Sequence, residues 1–156
     1  MFGENGADTG QTYRNPALTV DGVVLVRRVE SGADDGLSVL LIERAREPYR
    51  GRYALPGGFV DYGEDIDDAI EREVAEETGL TGIPFRQFRT FGKPDRDPRG
   101  HTVSVVYVGV LLGPAPPVKG GDDAAHAAWF PVKRLPDLAF DHAHILGRVL
   151  ESLNYQ

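Results

Sequence analysis

The segment GFVDYGEDIDDAIEREVAEETGL, which runs from Gly58 to Leu80, decides the fold of this 156-residue chain. It fits the pattern G-x5-E-x7-R-E-U-x-E-E-x-G-U, in which U is an aliphatic residue and x is any residue. Nine fixed positions at fixed gaps rarely coincide by chance, so this signal is far more specific than a lone acidic pair or a lone glycine turn. The fixed positions are filled by Gly58, Glu64, Arg72, Glu73, Val74, Glu76, Glu77, Gly79 and Leu80.

The second half of the segment predicts an amphipathic helix over residues 66–77, because its apolar residues recur at the spacing of one helix face. Two carboxylates share that face. Glu73 and Glu77 lie four residues apart within the angular range of the apolar stripe, and Glu76 lies at its edge. The apolar stripe consists of Ile66, Ala69, Ile70 and Val74.

Carboxylates on the core side of a helix need positive charge nearby. Like charges four residues apart repel each other, and burying an unpaired carboxylate costs several kcal/mol. Arg72 is adjacent in sequence but is predicted to point toward the outer edge of the helix, so it does not neutralise all three glutamates. The simplest source of charge is a hard divalent cation, and oxygen ligands suit Mg²⁺ or Mn²⁺. The alternative interpretation is a solvated helix with an acidic end.

The segment resembles the Nudix box, the signature of hydrolases that cleave a nucleoside diphosphate linked to another group. The likeness extends over about Asn15 to Leu153. It implies an α/β fold of the Nudix type, an α/β/α sandwich with a mixed central sheet. It also implies a metal-dependent enzyme that uses Mg²⁺, with Mn²⁺ as the alternative.

The same resemblance implies roles for individual residues. Glu64 pairs with Arg72, a contact that orients the helix. The base that takes a proton from water varies between subfamilies, and two candidates stay open: Glu73, or an acid of the later loop KGGDDAAHA, Asp122 or Asp123. The metal ligands that the resemblance implies are the main-chain carbonyl of Gly57 and the carboxylates of Glu73, Glu76 and Glu77.

Alternating apolar residues elsewhere predict strands, and a polar loop is predicted at Ser31 to Gly36. A final helix should begin near Asp141, a residue suited to a helix N-cap. The predicted strands are Ala17 to Val26, Ser38 to Glu43, the central strand His101 to Leu112, and Ala127 to Phe130. The predicted buried stripe of the final helix is Ile145, Leu146, Val149, Leu150 and Leu153.

Several segments outside the box resemble ADP-ribose pyrophosphatases, among them FGKPDRDPRGHTVSVVY. This likeness implies hydrolysis of ADP-ribose to AMP and ribose 5-phosphate. Cationic donors suit a diphosphate, and arginine can bind it with two hydrogen bonds. The alternative for each cation is a solvated charge or a local pair with an aspartate. The candidates for substrate binding are Arg44, Arg46, Arg96, Arg99 and His101.

Two other functions remain open. One is hydrolysis of a different substrate by a Nudix enzyme: a nucleoside triphosphate, NADH or a dinucleoside polyphosphate. The chain has no cysteine, whereas many NADH-cleaving relatives bind zinc through cysteines. The other is a non-catalytic nucleotide-binding module, as in a transcription regulator. Such modules often lose box glutamates, and here all of them are present.

Composition limits the organisation of the chain. A polar, glycine-rich N-terminal tail is expected over residues 1–13, followed by one globular domain over residues 14–156. No apolar run reaches the length of a membrane span. The net charge of −7 argues against a general nucleic-acid surface. We therefore expect a cytoplasmic protein that binds a small-molecule nucleotide, without nucleic acid or membrane partners. The resemblance adds a possible homodimer.

Overall fold

The computed structural model describes residues 13–28 and 36–155. The predicted tail lies outside these residues except for Tyr13, and the predicted polar loop lies outside them except for Gly36, which begins a strand. The described residues form one mixed seven-stranded sheet and two helices. The strands are β1 (Ala17–Arg28), β2 (Gly36–Arg44), β3 (Tyr53–Ala54), β4 (Gly57–Phe59), β5 (Arg86–Phe91), β6 (Thr102–Leu112) and β7 (Ala124–Pro131). The helices are α1 (Ile66–Thr78) and α2 (His142–Ser152).

The sheet is organised around β1. The strand order is β3-β2-β1-β6-β5, with β7 paired to β2 and β4 paired to β1. β1 and β6 run parallel, and the remaining pairs are antiparallel. Residues 25–28 of β1 pair with β2, whereas residues 19–21 pair with β4. One edge of β1 is therefore shared by two strands, and β2 separates from β1 where β4 takes its place.

Two hydrophobic cores lie on the two faces of the sheet. Successive residues of a strand point to opposite faces, so β1 supplies Val20 and Val24 to one core and Val23 and Leu25 to the other. Complete burial of such a side chain contributes about 1.5–3 kcal/mol. The first core is completed by Ala69, Ile70 and Val74 of α1, and the second by Ile145, Leu146 and Val149 of α2. Because one helix packs on each face of the sheet, the predicted α/β/α sandwich is confirmed.

The helix ends follow the predicted signals closely. α1 begins after Asp65, whose carboxylate accepts a hydrogen bond from the Asp67 N–H at 2.8 Å, and ends before Gly79 at φ 80°. α2 begins directly after Asp141, but the Asp141 side chain makes no capping bond. The prediction that Leu153 is buried is wrong, because α2 ends one residue earlier and Leu153 is 41% exposed.

In the described part of the chain, neither helix has the length and hydropathy that a bilayer-spanning segment requires.

Candidate active site

A cavity of about 520 Å³ opens beside β1, at the place where β4 replaces β2 as its neighbour. All of the predicted site residues except Glu64 and His101 line it. They come from β2 and the loop after it, from β4, from α1, and from the loops before β6 and β7. The topology therefore brings together side chains that lie far apart in the sequence.

The buried carboxylate of Glu77 lies at the inner wall of this cavity. Its Oε1 accepts a hydrogen bond from the Gly57 N–H at 2.7 Å. Burial raises the pKa of Glu77 to about 8, and the charges of Glu73 and Asp21 add to this effect against the opposing Gly57 hydrogen bond. A side chain at position 57 would place its Cβ 2.1 Å from the Val20 carbonyl oxygen. Only glycine fits there, so the bare main chain of the loop faces the carboxylate.

Arg72 connects three glutamates. Its Nε and Nη2 donate to Glu64 at 2.6 and 2.9 Å, and the predicted Glu64–Arg72 pair is confirmed. These hydrogen bonds lower the pKa of Glu64 to about 2. The Arg72 Nη1 also donates to Glu73 at 2.9 Å and to Glu76 at 3.2 Å. The long side chain of Arg72 bends back along the helix surface to reach Glu73 and Glu76. The prediction that Arg72 does not neutralise all three glutamates agrees with these contacts, because Glu77 receives no hydrogen bond from it.

The carboxylates of α1 present suitable groups for a divalent cation. Among residues 13–28 and 36–155, no three acidic or histidine side chains are already arranged to enclose a metal ion. The contacts above explain this, because Arg72 holds Glu73 and Glu76 while Gly57 holds Glu77. Burial nevertheless raises the pKa of Glu73 despite the Arg72 charge.

The space around Glu73 supports the same interpretation. A Cβ at Gly58 would lie 2.6 Å from the Glu73 Oε1, so this carboxylate rests against bare main chain. One buried and one half-buried carboxylate, both with raised pKa values and both beside a glycine loop, fit a hard cation with oxygen ligands. Its charge would replace that of Arg72 at Glu73.

The cavity is also lined by two arginines that lie against one aromatic ring. The guanidinium carbons of Arg44 and Arg99 lie 4.9 and 5.1 Å from the centre of the Phe140 ring. Arg99 also lies over Phe59 at 4.9 Å, and its Nε and Nη2 donate to Asp97. The Arg44 Nε donates to the Pro48 carbonyl at 2.8 Å. Burial and then the charge of Arg99 lower the pKa of Arg44. This pair of nearby cations suits an anionic group.

The other predicted substrate contacts are placed differently. Arg96 is almost completely buried and donates to both carboxylate oxygens of Asp141 at 2.7 and 3.0 Å, so it serves the structure. Arg46 lies on the exposed rim and pairs with Asp123 at 3.0 Å. His101 lines an adjoining surface cavity, and its Nε2 is 3.0 Å from the Gly92 carbonyl oxygen. The structure therefore brings Arg44 and Arg99 together, but not His101.

The loop before β7 is attached to the end of α1. The Lys119 N–H donates to the Thr78 carbonyl at 3.1 Å. Asp122, at φ 55°, and Asp123 both line the cavity. The charge of Asp122 contributes to the raised pKa of Glu73, and that of Asp123 contributes to the raised pKa of Glu77. Asp122 and Asp123 therefore lie close to the carboxylates of α1, among them Glu73, the other candidate base.

Sequence reasoning missed several residues that line the cavity. Asp21 is the clearest, because a charged residue interrupts the apolar run from Leu18 to Val26, and that interruption was an available signal. Phe59 and Phe140 carried no such signal, since aromatic residues beside strands are more often core residues.

Comparison with known protein families matches residues 18–153 to the NUDIX domain. The chain belongs to this family. Three glutamates of the Nudix box, Glu73, Glu76 and Glu77, line the cavity.

Relatives of this Nudix chain include an enzyme and a repressor. The ADP-ribose pyrophosphatase of Methanocaldococcus jannaschii is 41% identical over 134 residues, which cover 86% of this chain and 73% of that protein. The ADPR responsive transcriptional repressor NtrR of Acinetobacter baylyi is 33% identical over 146 residues, or 91% of this chain. The chain spans 56% of the length of that repressor.

A solved structure adds a ligand complex. The NUDIX domain of Shewanella oneidensis NrtR, complexed with ADP ribose, superimposes with a TM-score of 0.80 at 29% identity. The match covers 90% of each chain.

Proposed function

We propose that this chain is a divalent-metal-dependent hydrolase that cleaves ADP-ribose to AMP and ribose 5-phosphate. The observation that carries the proposal is the cavity itself, which is lined by three glutamates of the Nudix box and by two arginines that meet at Phe140. The 41% identity to an ADP-ribose pyrophosphatase supports the choice of substrate. So does the similarity to a Nudix domain complexed with ADP ribose.

The metal would be Mg²⁺ or Mn²⁺, held by Glu73, Glu76, Glu77 and the carbonyl of Gly57. When bound, such an ion neutralises phosphoryl oxygens and lowers the pKa of water. Arg72 and Glu64 fix the outer side of α1, so that the glutamates enter the cavity from one rigid helix.

Arg44 and Arg99 would bind the diphosphate. Both guanidinium groups lie against the Phe140 ring, and Asp97 fixes that of Arg99. Donors that are positioned before the reaction stabilise developing negative charge without having to reorganise. The proton of the attacking water would pass to Glu73 or to the Asp122/Asp123 pair, both of which border the same space.

A substrate panel tests this function. We expect ADP-ribose to give a higher kcat/KM than dATP, 8-oxo-dGTP, NADH or diadenosine tetraphosphate, in Mg²⁺ and in Mn²⁺. The products should be AMP and ribose 5-phosphate, without free pyrophosphate. A nucleoside triphosphate that is preferred tenfold, with release of pyrophosphate, would refute the choice of substrate and leave the Nudix reaction class in place.

The second candidate function is an ADP-ribose sensor, which the similarity to the A. baylyi repressor favours. Calorimetry with ADP-ribose, followed by analysis of the recovered nucleotide, separates the two. Binding with intact ADP-ribose after prolonged incubation in Mg²⁺ would indicate a sensor, whereas conversion to AMP would indicate the enzyme.

We further propose one domain over residues 14–156 and assembly as a homodimer. Light scattering on the purified chain gives the mass of the assembly directly. A monomer at micromolar concentration would contradict the dimer.

A further inference from the structure

The first residue of α2, His142, makes an unusual contact with the glycine loop. Its side chain is 5% exposed, and its Nδ1 accepts a hydrogen bond from the Leu55 N–H at 3.0 Å. An Nδ1 that accepts carries no proton. Burial lowers the pKa of His142, which keeps the ring neutral, so its single proton lies on Nε2.

Asp21 faces this proton. The Nε2 of His142 is 3.7 Å from the Asp21 Oδ1, and the hydroxyl of Ser104 donates to the Asp21 Oδ2. Asp21 and Ser104 lie on the neighbouring strands β1 and β6 and are both buried. A carboxylate beside one ring nitrogen selects the tautomer in which that nitrogen carries the proton. Asp21 therefore favours the form of His142 that accepts from Leu55.

The loop from Leu55 to Gly57 is held at each of its three residues. The Leu55 N–H is bound by His142, the Pro56 carbonyl accepts from the Gly22 N–H at 2.8 Å, and the Gly57 N–H is bound by Glu77. The Leu55 N–H lies in the peptide plane before Leu55, and the Pro56 carbonyl and the Gly57 N–H lie in the plane before Gly57, so these contacts fix the path of the chain into Gly57. The Gly57 carbonyl lies in the next peptide plane, where β4 pairs with β1. Of the three anchors, His142 is a side chain that lies outside both β1 and the Nudix box.

We propose that His142 is a positioning residue for the metal site: it holds the Leu55 N–H and so fixes the path of the loop that leads to the Gly57 carbonyl. This rests on the proposed function in one respect, the role of the Gly57 carbonyl as a metal ligand. His142 itself does not touch metal or substrate. It connects α2 to the glycine loop, across the sheet from the helix that carries the glutamates.

Three variants of the full chain test the proposal. His142→Leu removes the acceptor for Leu55. His142→Asn places a side-chain oxygen near the position of Nδ1 and restores an acceptor. His144→Leu, at an exposed position of the same helix, is the matched control. Mn²⁺ affinity is measured without substrate, by electron paramagnetic resonance of the free ion, at a temperature where circular dichroism shows each variant to be folded. Amide hydrogen exchange of Leu55 is measured by NMR in EDTA.

We expect His142→Leu to weaken Mn²⁺ binding on the order of 10- to 100-fold, the effect of removing a residue that orients a ligand. Exchange of the Leu55 amide should accelerate about tenfold with the loss of its hydrogen bond. His142→Asn should recover most of both losses, and His144→Leu should match the wild type. For turnover, the apparent KM for the metal should rise more than kcat falls.

Two results would overturn the proposal. One is wild-type Mn²⁺ affinity in folded His142→Leu. The other is a loss in His142→Asn as large as that in His142→Leu. Neither result depends on the substrate. A wild type that binds Mn²⁺ but leaves ADP-ribose intact would refute the proposed function alone.

Discussion

Removal of the Glu77 charge should stabilise the metal-free protein while it abolishes activity. Glu77→Gln keeps an oxygen that can accept from the Gly57 N–H and removes a charge that burial disfavours. A pKa raised from 4.5 to about 8 corresponds to on the order of 5 kcal/mol, at about 1.4 kcal/mol for each pH unit. That free energy is comparable to the whole stability of a small domain.

The direction in which the free energy of unfolding changes with pH follows from proton binding to Glu77. Below pH 4.5 the carboxyl group is protonated in the folded and in the unfolded chain, and the full stability is present. Between pH 4.5 and about 8 the folded chain retains a proton that the unfolded chain has lost, so stability falls as pH rises. The wild type should therefore lose up to about 1.4 kcal/mol per pH unit relative to Glu77→Gln.

Urea denaturation in EDTA at pH 5, 6, 7 and 8 measures this difference in the free energy of unfolding. Glu71→Gln is the matched control, because Glu71 is exposed on the same helix. Added Mg²⁺ should stabilise the wild type more than Glu77→Gln. A difference between wild type and Glu77→Gln that stays constant from pH 5 to pH 8 would refute the reasoning.

Four further predictions concern the metal, the general base and the arginines Arg99 and Arg96. Excess EDTA should abolish turnover, and full activity in EDTA would remove the metal from the mechanism. The general base is tested by comparing Glu73→Gln with the double variant Asp122→Asn, Asp123→Asn. The variant that removes the base should lose roughly 10²- to 10⁴-fold in kcat at saturating Mg²⁺. If both variants stay active, the base is another residue. Arg99→Ala should raise KM for ADP-ribose more than it lowers kcat, provided that it binds ground state and transition state alike; an unchanged KM would exclude it from substrate binding. Arg96→Ala should leave KM nearly unchanged but destabilise the fold by about 3 kcal/mol in urea denaturation, because it breaks a largely buried ion pair.

The sequence predicts α1 and its ends almost residue by residue. Its apolar spacing and the terminal Gly79 are local signals that do not depend on distant contacts, whereas the N-cap role of Asp65 is known only from the structure. The pairing of Glu64 with Arg72 also follows from the box. The further reach of Arg72 to Glu73 and Glu76 does not, because the torsions of a long side chain are set by neighbouring charges rather than by its angle on a helical wheel.

The parts of the site that depend on contacts between distant residues are not predicted from the sequence, for another reason. β4 has three residues, too few for an alternating pattern, yet it forms the edge of the cavity. Asp21 and His142 meet only because β1 and the start of α2 are brought together by the sheet. Arg96 and Arg99 look equivalent in sequence and both line the cavity, but Arg96 is almost completely buried in an ion pair with Asp141, whereas Arg99 is partly exposed and lies against Phe59 and Phe140.

The contacts of Arg72 determine how the glutamates of α1 are compensated before metal binds. Because this arginine already compensates Glu73 and Glu76, these two carboxylates have a counter-ion within α1 before any metal binds, whereas Glu77 does not. At Glu73 and Glu76, metal uptake is then an exchange of one cation for another, in contrast to small zinc domains whose ligands have no such substitute and that remain unfolded without their ion.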